Sequence, residues 1–147
     1  MKPINEMRLR IESRSVNEAF ARAAVAAFVS QLDPTLEEIS DIKTAVSEAV
    51  TNCIVHAYAD SVGQIYIWAG LYEDGGVRIK IGDTGCGIED VKKAMEPLYT
   101  TLGEERAGLG FAVMESFCDR LGVRSAPGKG TTVTLTKYIK GRNGGDD

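Results

Sequence analysis

The hydrophobic period changes abruptly near residue 60, and this change limits what the chain can fold into. Before it, apolar residues recur every three or four positions over two segments, which indicates two amphipathic helices. After it, apolar and polar residues alternate over 65–72 and 77–81, which indicates half-buried strands. Strands gathered behind amphipathic helices predict a two-layer α/β sandwich.

Two helix starts can be located in the first part of the chain. Ser15 followed three residues later by Glu18 is a capping-box pattern, and it predicts the start of the first helix. Asp33-Pro34 predicts the start of the second, with the proline in the first turn, where its missing N–H does little harm. The first helix is expected to face the core with Ala19, Phe20, Ala23, Ala24, Ala27, Phe28 and Leu32. The second is expected to do so with Leu36, Ile39, Ile42, Val46, Ala49, Val50, Cys53 and Ile54.

Glycine-rich turns predict two hairpins. Asp74-Gly75-Gly76 joins the first two alternating segments, and Pro127-Gly128-Lys129-Gly130 joins strands over 121–125 and 131–139. The other predicted elements are a strand over 7–12, a short helix over 89–95, a mobile loop over 98–108 and a helix over 109–118. We therefore expect one domain over residues 1–140, followed by a disordered polar tail over 141–147.

Composition narrows the functional classes. The 147 residues carry a formal net charge of −4, which argues against direct nucleic-acid binding. No apolar run approaches the roughly 20 residues that span a bilayer, so no membrane contact is expected. The three cysteines form no CxxC pair, and the N-terminus has no secretory h-region. We expect a cytoplasmic protein.

Glu48 and Asn52 lie four residues apart and therefore share one face of the second helix. Such a pair is commonly just a solvated helix face. It also supports specific chemistry, since a side-chain amide oxygen suits Mg²⁺ that is shared with phosphates and water. A nearby glutamate could accept a proton from an attacking hydroxyl group.

Two glycine-rich segments are further candidates for a binding site. Asp83 ends a strand before Gly85 and Gly87, where it could accept from an exocyclic amine such as that of adenine. A simple Asx-type turn is the alternative for this segment. Gly108-Leu109-Gly110 at the start of the last helix could offer free N–H groups to phosphate, or could only give flexibility to the helix entry. Thr131 could join Asp83 around the base.

The commonest nucleotide motifs are absent. Gly128-Lys129-Gly130-Thr131 lacks the earlier glycine of a P-loop and lies in a hairpin. The third glycine of a GxGxxG pattern is replaced by Asp90 after the first glycine pair and by Val113 after the second. Rossmann and Walker sites are therefore excluded.

The clusters in their order resemble the GHKL ATPase/kinase superfamily. The order is Glu48-x-x-x-Asn52, Asp83-x-Gly85-x-Gly87, Gly108-x-Gly110 and Gly130-Thr131. Segments 47–52, 97–101 and 105–111 are further similar to the anti-sigma F factors of spore-forming bacteria. The resemblance implies a Bergerat fold, a mixed, mostly antiparallel sheet covered by helices on one face.

The resemblance also implies a role for each matching residue. Asn52 would hold Mg²⁺ against the phosphates of ATP or ADP, and Glu48 would act as the base. Asp83 would bind the adenine amine, supported by Thr131 through water, while Gly85 and Gly87 seat the base and sugar. Segment 98–110 would be a lid with Arg106 as a second catalytic residue and with five binding residues: Thr100, Thr101, Gly108, Leu109 and Gly110. Arg106 would reach the terminal phosphates.

The implied activity is that of a homodimeric anti-sigma factor that binds a sporulation sigma factor. It would also phosphorylate a serine of an anti-anti-sigma protein with ATP. One alternative is a non-catalytic module that needs ATP only to organise its sigma-binding surface. Another is the ATPase domain of a histidine kinase, which is disfavoured because residues 1–47 contain no histidine.

Overall fold

The computed structural model of the chain describes residues 1–58, 60–88 and 104–142, and over 104–109 it describes the main chain only. Five strands in these ranges form one sheet: β1 (Asn5–Glu12), β2 (Gln64–Leu71), β3 (Gly76–Asp83), β4 (Arg120–Ala126) and β5 (Gly130–Tyr138). Three α-helices accompany them: α1 (Val16–Val29), α2 (Leu36–Asn52) and α3 (Glu104–Phe117). A π-helical turn, Cys53–Ala57, extends α2. The predicted helix over 89–95 lies outside the described residues.

The sheet has the spatial order β1-β2-β3-β5-β4, and its four described pairings are all antiparallel. The two predicted hairpins, β2–β3 and β4–β5, are confirmed. The predicted alternation also holds, because Ile67 and Ile81 pair on the buried face. On the opposite face Trp68 pairs with Lys80, whose ammonium lies 5.5 Å from the indole centroid.

The helices cover one face of the sheet, which confirms the predicted fold class apart from the mixed pairing. α2 is the central helix and contacts both α1 and α3. Its buried residues are Ile42, Ala45, Val46, Ala49 and Val50, which pack with the inward side chains of β2, β3 and β5. No helix in the described ranges is both long and apolar enough to cross a bilayer.

The start of α1 was predicted correctly, since Ser15 is its N-cap, but the predicted capping box and buried face were wrong. Ser15 has helical backbone angles and makes no side-chain cap hydrogen bond. Glu18 instead accepts from the Ser47 hydroxyl and pairs with Arg22 at 3.6 Å. The buried residues are Ala21, Val25, Ala26 and Val29, whereas Phe20 of the predicted stripe is 52% exposed. Alanine on every side of this helix leaves the stripe ambiguous, and the larger valines determine which side packs.

The start of α2 lies two residues later than predicted, because the N-cap is Thr35 and not Asp33. Thr35 is the N-cap, and it forms a capping box with Glu38. Pro34 therefore precedes the cap and is not in the first turn. Leu36 is 81% exposed, so it does not belong to the core as predicted.

The C-terminal end of the described chain packs against this same helix start. The main-chain N–H of Gly141 donates to the Glu38 carboxylate at 3.1 Å, and that of Arg142 donates to the Asp33 carbonyl at 3.0 Å. The Arg142 side chain pairs with the Asp33 carboxylate at 3.3 Å. These two residues extend the packed part of the chain beyond residue 140, into the segment assigned to the tail.

Candidate functional site

Glu48 and Asn52 converge with Gly110 at one place in the structure. An ideal Cβ added to Gly110 would lie 3.1 Å from Asn52 Oδ1 and 3.4 Å from Glu48 Oε2. Residues four apart on α2 therefore present both side chains to the same point of α3. Three predicted site residues from two separate sequence clusters are brought together here.

The Asn52 amide has a polar atom without a protein partner. Its Nδ2 is buried and finds no hydrogen-bond partner within the described part of the chain. A buried N–H group in that state is costly unless another molecule satisfies it. The Asn52 side chain therefore has the character of a ligand-binding group.

A polar groove between α1 and α2 also reaches Glu48. Its volume is about 550 Å³. It is lined by Arg22, Ser40, Lys43, Thr44, Ser47 and Glu48. The half-buried Glu48 carboxylate thus lies between this groove and the Asn52 side chain.

Asp83 forms the centre of a second cluster at the end of β3. This residue is 8% exposed, and its Oδ1 accepts from the Gly85 N–H at 3.0 Å and the Thr131 N–H at 3.1 Å. Thr131 therefore contacts Asp83 directly through its main chain. Its hydroxyl, for which a supporting role was predicted, lies 2.7 Å from the Ser125 hydroxyl. Because both bonds go to Oδ1, Oδ2 keeps acceptor capacity for a ligand.

Cys53 connects the two clusters, since it follows Asn52 and its buried thiol lies close to the Asp83 carboxylate. Burial, reinforced by the negative charge of Asp83, holds the pKa of the Cys53 thiol well above its ordinary value. The thiol therefore stays neutral beside the carboxylate at physiological pH. The sequence analysis assigned Cys53 only to the core, because an apolar position on a helix gives no sign of a polar neighbour.

Gly85 and Gly87 allow the segment after Asp83 to pack tightly between other elements. A Cβ at Gly85 would overlap the Ala57 carbonyl at the end of α2. Gly87 has a φ of 76°, and a Cβ there would overlap the Ala126 carbonyl. Both predicted glycines are therefore required by contacts within the protein itself.

Two hydroxyl groups that the sequence analysis missed hold the same segment. Tyr58 accepts from the Thr84 N–H at 2.7 Å, and Ser125 accepts from the Ile88 N–H at 2.8 Å. Neither hydroxyl lies within a recognisable motif, and each is far from residues 84–88 along the chain. Their role depends on tertiary packing.

The predicted lid is only partly described. Thr100 and Thr101 lie outside the described residues, as do the side chains of Arg106 and Leu109. α3 begins at Glu104, so the prediction of a loop over 104–108 was wrong. Gly108 and Gly110 therefore lie beyond the first turn, where a helix uses its own N–H groups for main-chain hydrogen bonds. Acidic residues at 104 and 105 favour this earlier start because they complement the positive end of the helix dipole.

The residues present suit a Mg²⁺ ion that is also bound by phosphates and water better than an ion bound by protein ligands alone. The described residues include no group of three or more His, Cys, Asp or Glu side chains that could hold a metal. The Asn52 amide oxygen and the Glu48 carboxylate approach the same point, and both are hard oxygen donors. A few such oxygens, completed by phosphates and water, suit Mg²⁺.

Comparisons with known proteins identify relatives that match most of the chain. The family model described as a histidine kinase-like ATPase domain matches residues 11–137. The anti-sigma F factor of Caldanaerobacter subterraneus subsp. tengcongensis is 62% identical over 140 residues, which are 95% of this chain and 96% of the relative. That of Thermoanaerobacter sp. strain X514 is 59% identical, over 95% of this chain and 97% of the relative.

A solved structure shares the fold. It contains the RsbU and RsbW domains of Rv1364c from Mycobacterium tuberculosis, and the match has a TM-score of 0.68 at 25% identity. It covers 93% of this chain and 33% of that longer chain.

Proposed function

The chain belongs to the anti-sigma F factor group of the histidine kinase-like ATPase family, and from this membership we propose that it is an anti-sigma factor and an ATP-dependent serine kinase. The observation that carries the kinase proposal is the approach of Glu48 and Asn52 to one point beside Gly110. A carboxylate and a ligand-type amide are then available together where phosphates and an acceptor hydroxyl would meet.

The base of ATP would bind at the Asp83 end of the site. Oδ1 of Asp83 is occupied by two main-chain N–H groups, so the carboxylate is held in one orientation. Oδ2 would accept from the adenine 6-amino group. The Thr84–Ile88 segment would form the rim on which the base and sugar rest.

The phosphates would extend from there along α2 towards Asn52. Asn52 would help to hold Mg²⁺, which when bound neutralises phosphate charge and orients the terminal phosphoryl group. Contact between phosphates and the main chain at Gly108 and Gly110 would require the first turns of α3 to open, since those N–H groups are now helical. The Arg106 side chain, Thr100 and Thr101 remain proposed phosphate contacts on the lid.

Glu48 would act as the general base of the transfer. A serine hydroxyl of the partner would enter through the polar groove that reaches Glu48. As the serine oxygen bonds to the γ-phosphorus, the bond from that phosphorus to the β–γ bridging oxygen breaks and ADP leaves. The hydroxyl proton passes to the Glu48 carboxylate.

The proposed partners are a sigma factor, which the chain would sequester, and an anti-anti-sigma protein, which would provide the serine. We also propose a homodimer and a cytoplasmic location, where sigma factors act on RNA polymerase. Support for these points comes from the family membership alone. Sedimentation equilibrium would test the dimer, and a monomer at micromolar concentration would contradict it.

Replacing Glu48 tests the catalytic part of the proposal. Glu48→Gln should slow phosphotransfer by roughly 10²- to 10⁴-fold and leave ADP affinity nearly unchanged, because general-base catalysis contributes about that much. Glu37→Gln is the matched control, since Glu37 is an exposed glutamate in the first turn of the same helix. A Glu48→Gln variant with the wild-type transfer rate would rule out Glu48 as the base.

A further inference from the structure

The Tyr58 hydroxyl joins three parts of the chain at a single point. It donates to the Gln64 carbonyl at 2.8 Å and accepts from the Thr84 N–H at 2.7 Å. The Thr84 hydroxyl lies 3.1 Å away. Tyr58 follows the π-helical turn at the end of α2, Gln64 begins β2, and Thr84 follows β3. One side-chain group therefore ties the end of the central helix to two neighbouring strands.

The chain leaves space for the Tyr58 ring. A Cβ added to Gly63 would overlap the ring, so the residue before β2 must be small for tyrosine to lie there. The hydroxyl is thus set by packing as well as by its hydrogen bonds. A tyrosine held in this way has little freedom to move away from Thr84.

Thr84 lies between Asp83, whose carboxylate is proposed to bind the base, and Gly85, whose N–H holds that carboxylate. It directly follows Asp83, and the next N–H, that of Gly85, is one of the two donors to Asp83 Oδ1. A displacement of the Thr84 main chain would therefore alter both the direction of the Asp83 carboxylate and the position of the loop. The Cys86 N–H bonds to the Ala57 carbonyl at 3.3 Å, which adds a second, weaker link to the end of α2.

We propose that Tyr58 is a positioning residue for nucleotide binding, acting through Thr84 on the orientation of Asp83. This inference rests on the proposed function, because it assumes that Asp83 receives the base. Ser125 holds the other end of the loop through Ile88, in a hydrogen bond that does not involve Tyr58. Loss of the Tyr58 hydroxyl should thus let one end of the loop drift while the fold persists.

Tyr58→Phe removes the hydroxyl and keeps the ring. If the loop then spends only part of its time in the binding geometry, the apparent Kd rises by the inverse of that fraction. Loss of one such hydrogen bond predicts a rise of about 3- to 10-fold in the Kd for ADP and in the KM for ATP. The kcat at saturating ATP should stay within about twofold of wild type, because Glu48 and Asn52 lie at the other end of the site.

Two control variants separate positioning from general loss of stability. Tyr138→Phe removes a hydroxyl from an exposed tyrosine at the end of β5 and should leave the Kd for ADP unchanged. Val25→Ala opens a cavity beneath α1 and should lower the melting temperature without raising that Kd. Equal rises in Kd for Val25→Ala and Tyr58→Phe would overturn the positioning role.

Amide hydrogen exchange tests the contact without nucleotide. In the free protein, the Thr84 amide of Tyr58→Phe should exchange about tenfold faster than in wild type, while the Ile88 amide changes little. Unchanged Thr84 exchange would overturn the inference even if the chain binds ATP. Faster exchange together with an unchanged Kd for ADP would also overturn it. If the wild-type chain binds no nucleotide, the proposed function fails, and the exchange result then identifies Tyr58 as a loop anchor only.

Discussion

Replacing Asp83 by asparagine separates the two tasks that this carboxylate performs. Oδ1 holds the loop by accepting from the Gly85 and Thr131 N–H groups, and Oδ2 is proposed to accept from the adenine amine. Asparagine has the same shape and can keep its carbonyl oxygen in the Oδ1 position. Its amide nitrogen would then stand in place of Oδ2, where it is a donor facing another donor.

The size of the effect follows from these contacts. Hydrogen bonds to a charged group contribute about 1.5–3 kcal/mol, and those between neutral groups contribute about 0.5–1.5 kcal/mol. Replacing the carboxylate by a neutral amide therefore weakens each of the two main-chain hydrogen bonds by about 1 kcal/mol. The substitution also removes a buried negative charge, and this offsets part of that loss. The lost base contact leaves polar groups unpaired, which predicts an ATP affinity lower by about 1–3 kcal/mol, or about 5- to 150-fold in Kd.

Titration calorimetry with two nucleotides would measure this effect. ATP should bind Asp83→Asn more weakly by the amount given. A triphosphate of purine riboside, which lacks the 6-amino group, should bind the variant and the wild type with similar affinity. Unchanged ATP affinity would remove Asp83 from the site, and an equal loss for both nucleotides would mean that the variant disturbs only the loop.

Three further predictions concern the structure around the site. Gly87→Ala should destabilise the fold by more than Gly128→Ala does, because both have positive φ but only Gly87 would overlap a carbonyl, while Gly128 faces open space. The positive φ alone costs about 1–2 kcal/mol in each variant. Equal melting temperatures for the two variants would contradict the close contact between residue 87 and the Ala126 carbonyl. Although partial burial opposes its ionisation, hydrogen bonds from Thr35, Lys140 and Gly141 hold the pKa of Glu38 below its ordinary value. Its stabilisation is therefore complete above the unfolded-state pKa and is lost as pH falls through the lower folded-state value. Glu38→Ala should lower the free energy of unfolding by about 1 kcal/mol near neutral pH, and urea titrations should show that difference shrinking in acid; a constant difference would refute the linkage. Iodoacetamide should modify the exposed Cys86 and leave the buried Cys53 intact until urea unfolds the chain, whereas labelling of both thiols in the folded protein would contradict the burial of Cys53.

The parts of the fold that follow from the sequence are those with a local physical cause. Alternation with period two determines which face of a strand is buried, so β2 and β3 were predicted with their faces correct. The capping boxes were harder to predict, because Ser15-x-x-Glu18 and Thr35-x-x-Glu38 look alike in sequence. Only the second forms a capping box, since Glu18 is drawn to Ser47 on the neighbouring helix.

In the site, too, only the residues with a local signal in the sequence could be predicted. Glu48 and Asn52 could be paired from helix geometry, and Asp83 from its position after a strand. The contacts of Cys53, Tyr58 and Ser125 could not be predicted, because each depends on how α2, β3 and β4 meet in space. The start of α3 at Glu104 was also missed, since the two glycines were taken as the helix entry.

The central claim is transfer of the γ-phosphate of ATP to a serine, and one labelling experiment tests it directly. The chain would be incubated with Mg²⁺, with ATP labelled on the γ-phosphate, and with a candidate anti-anti-sigma protein. The account predicts acid-stable label on a serine of that protein with wild-type chain and almost none with Glu48→Gln. Tight ATP binding without transfer to serine, or acid-labile label on the chain's own histidine, would contradict it.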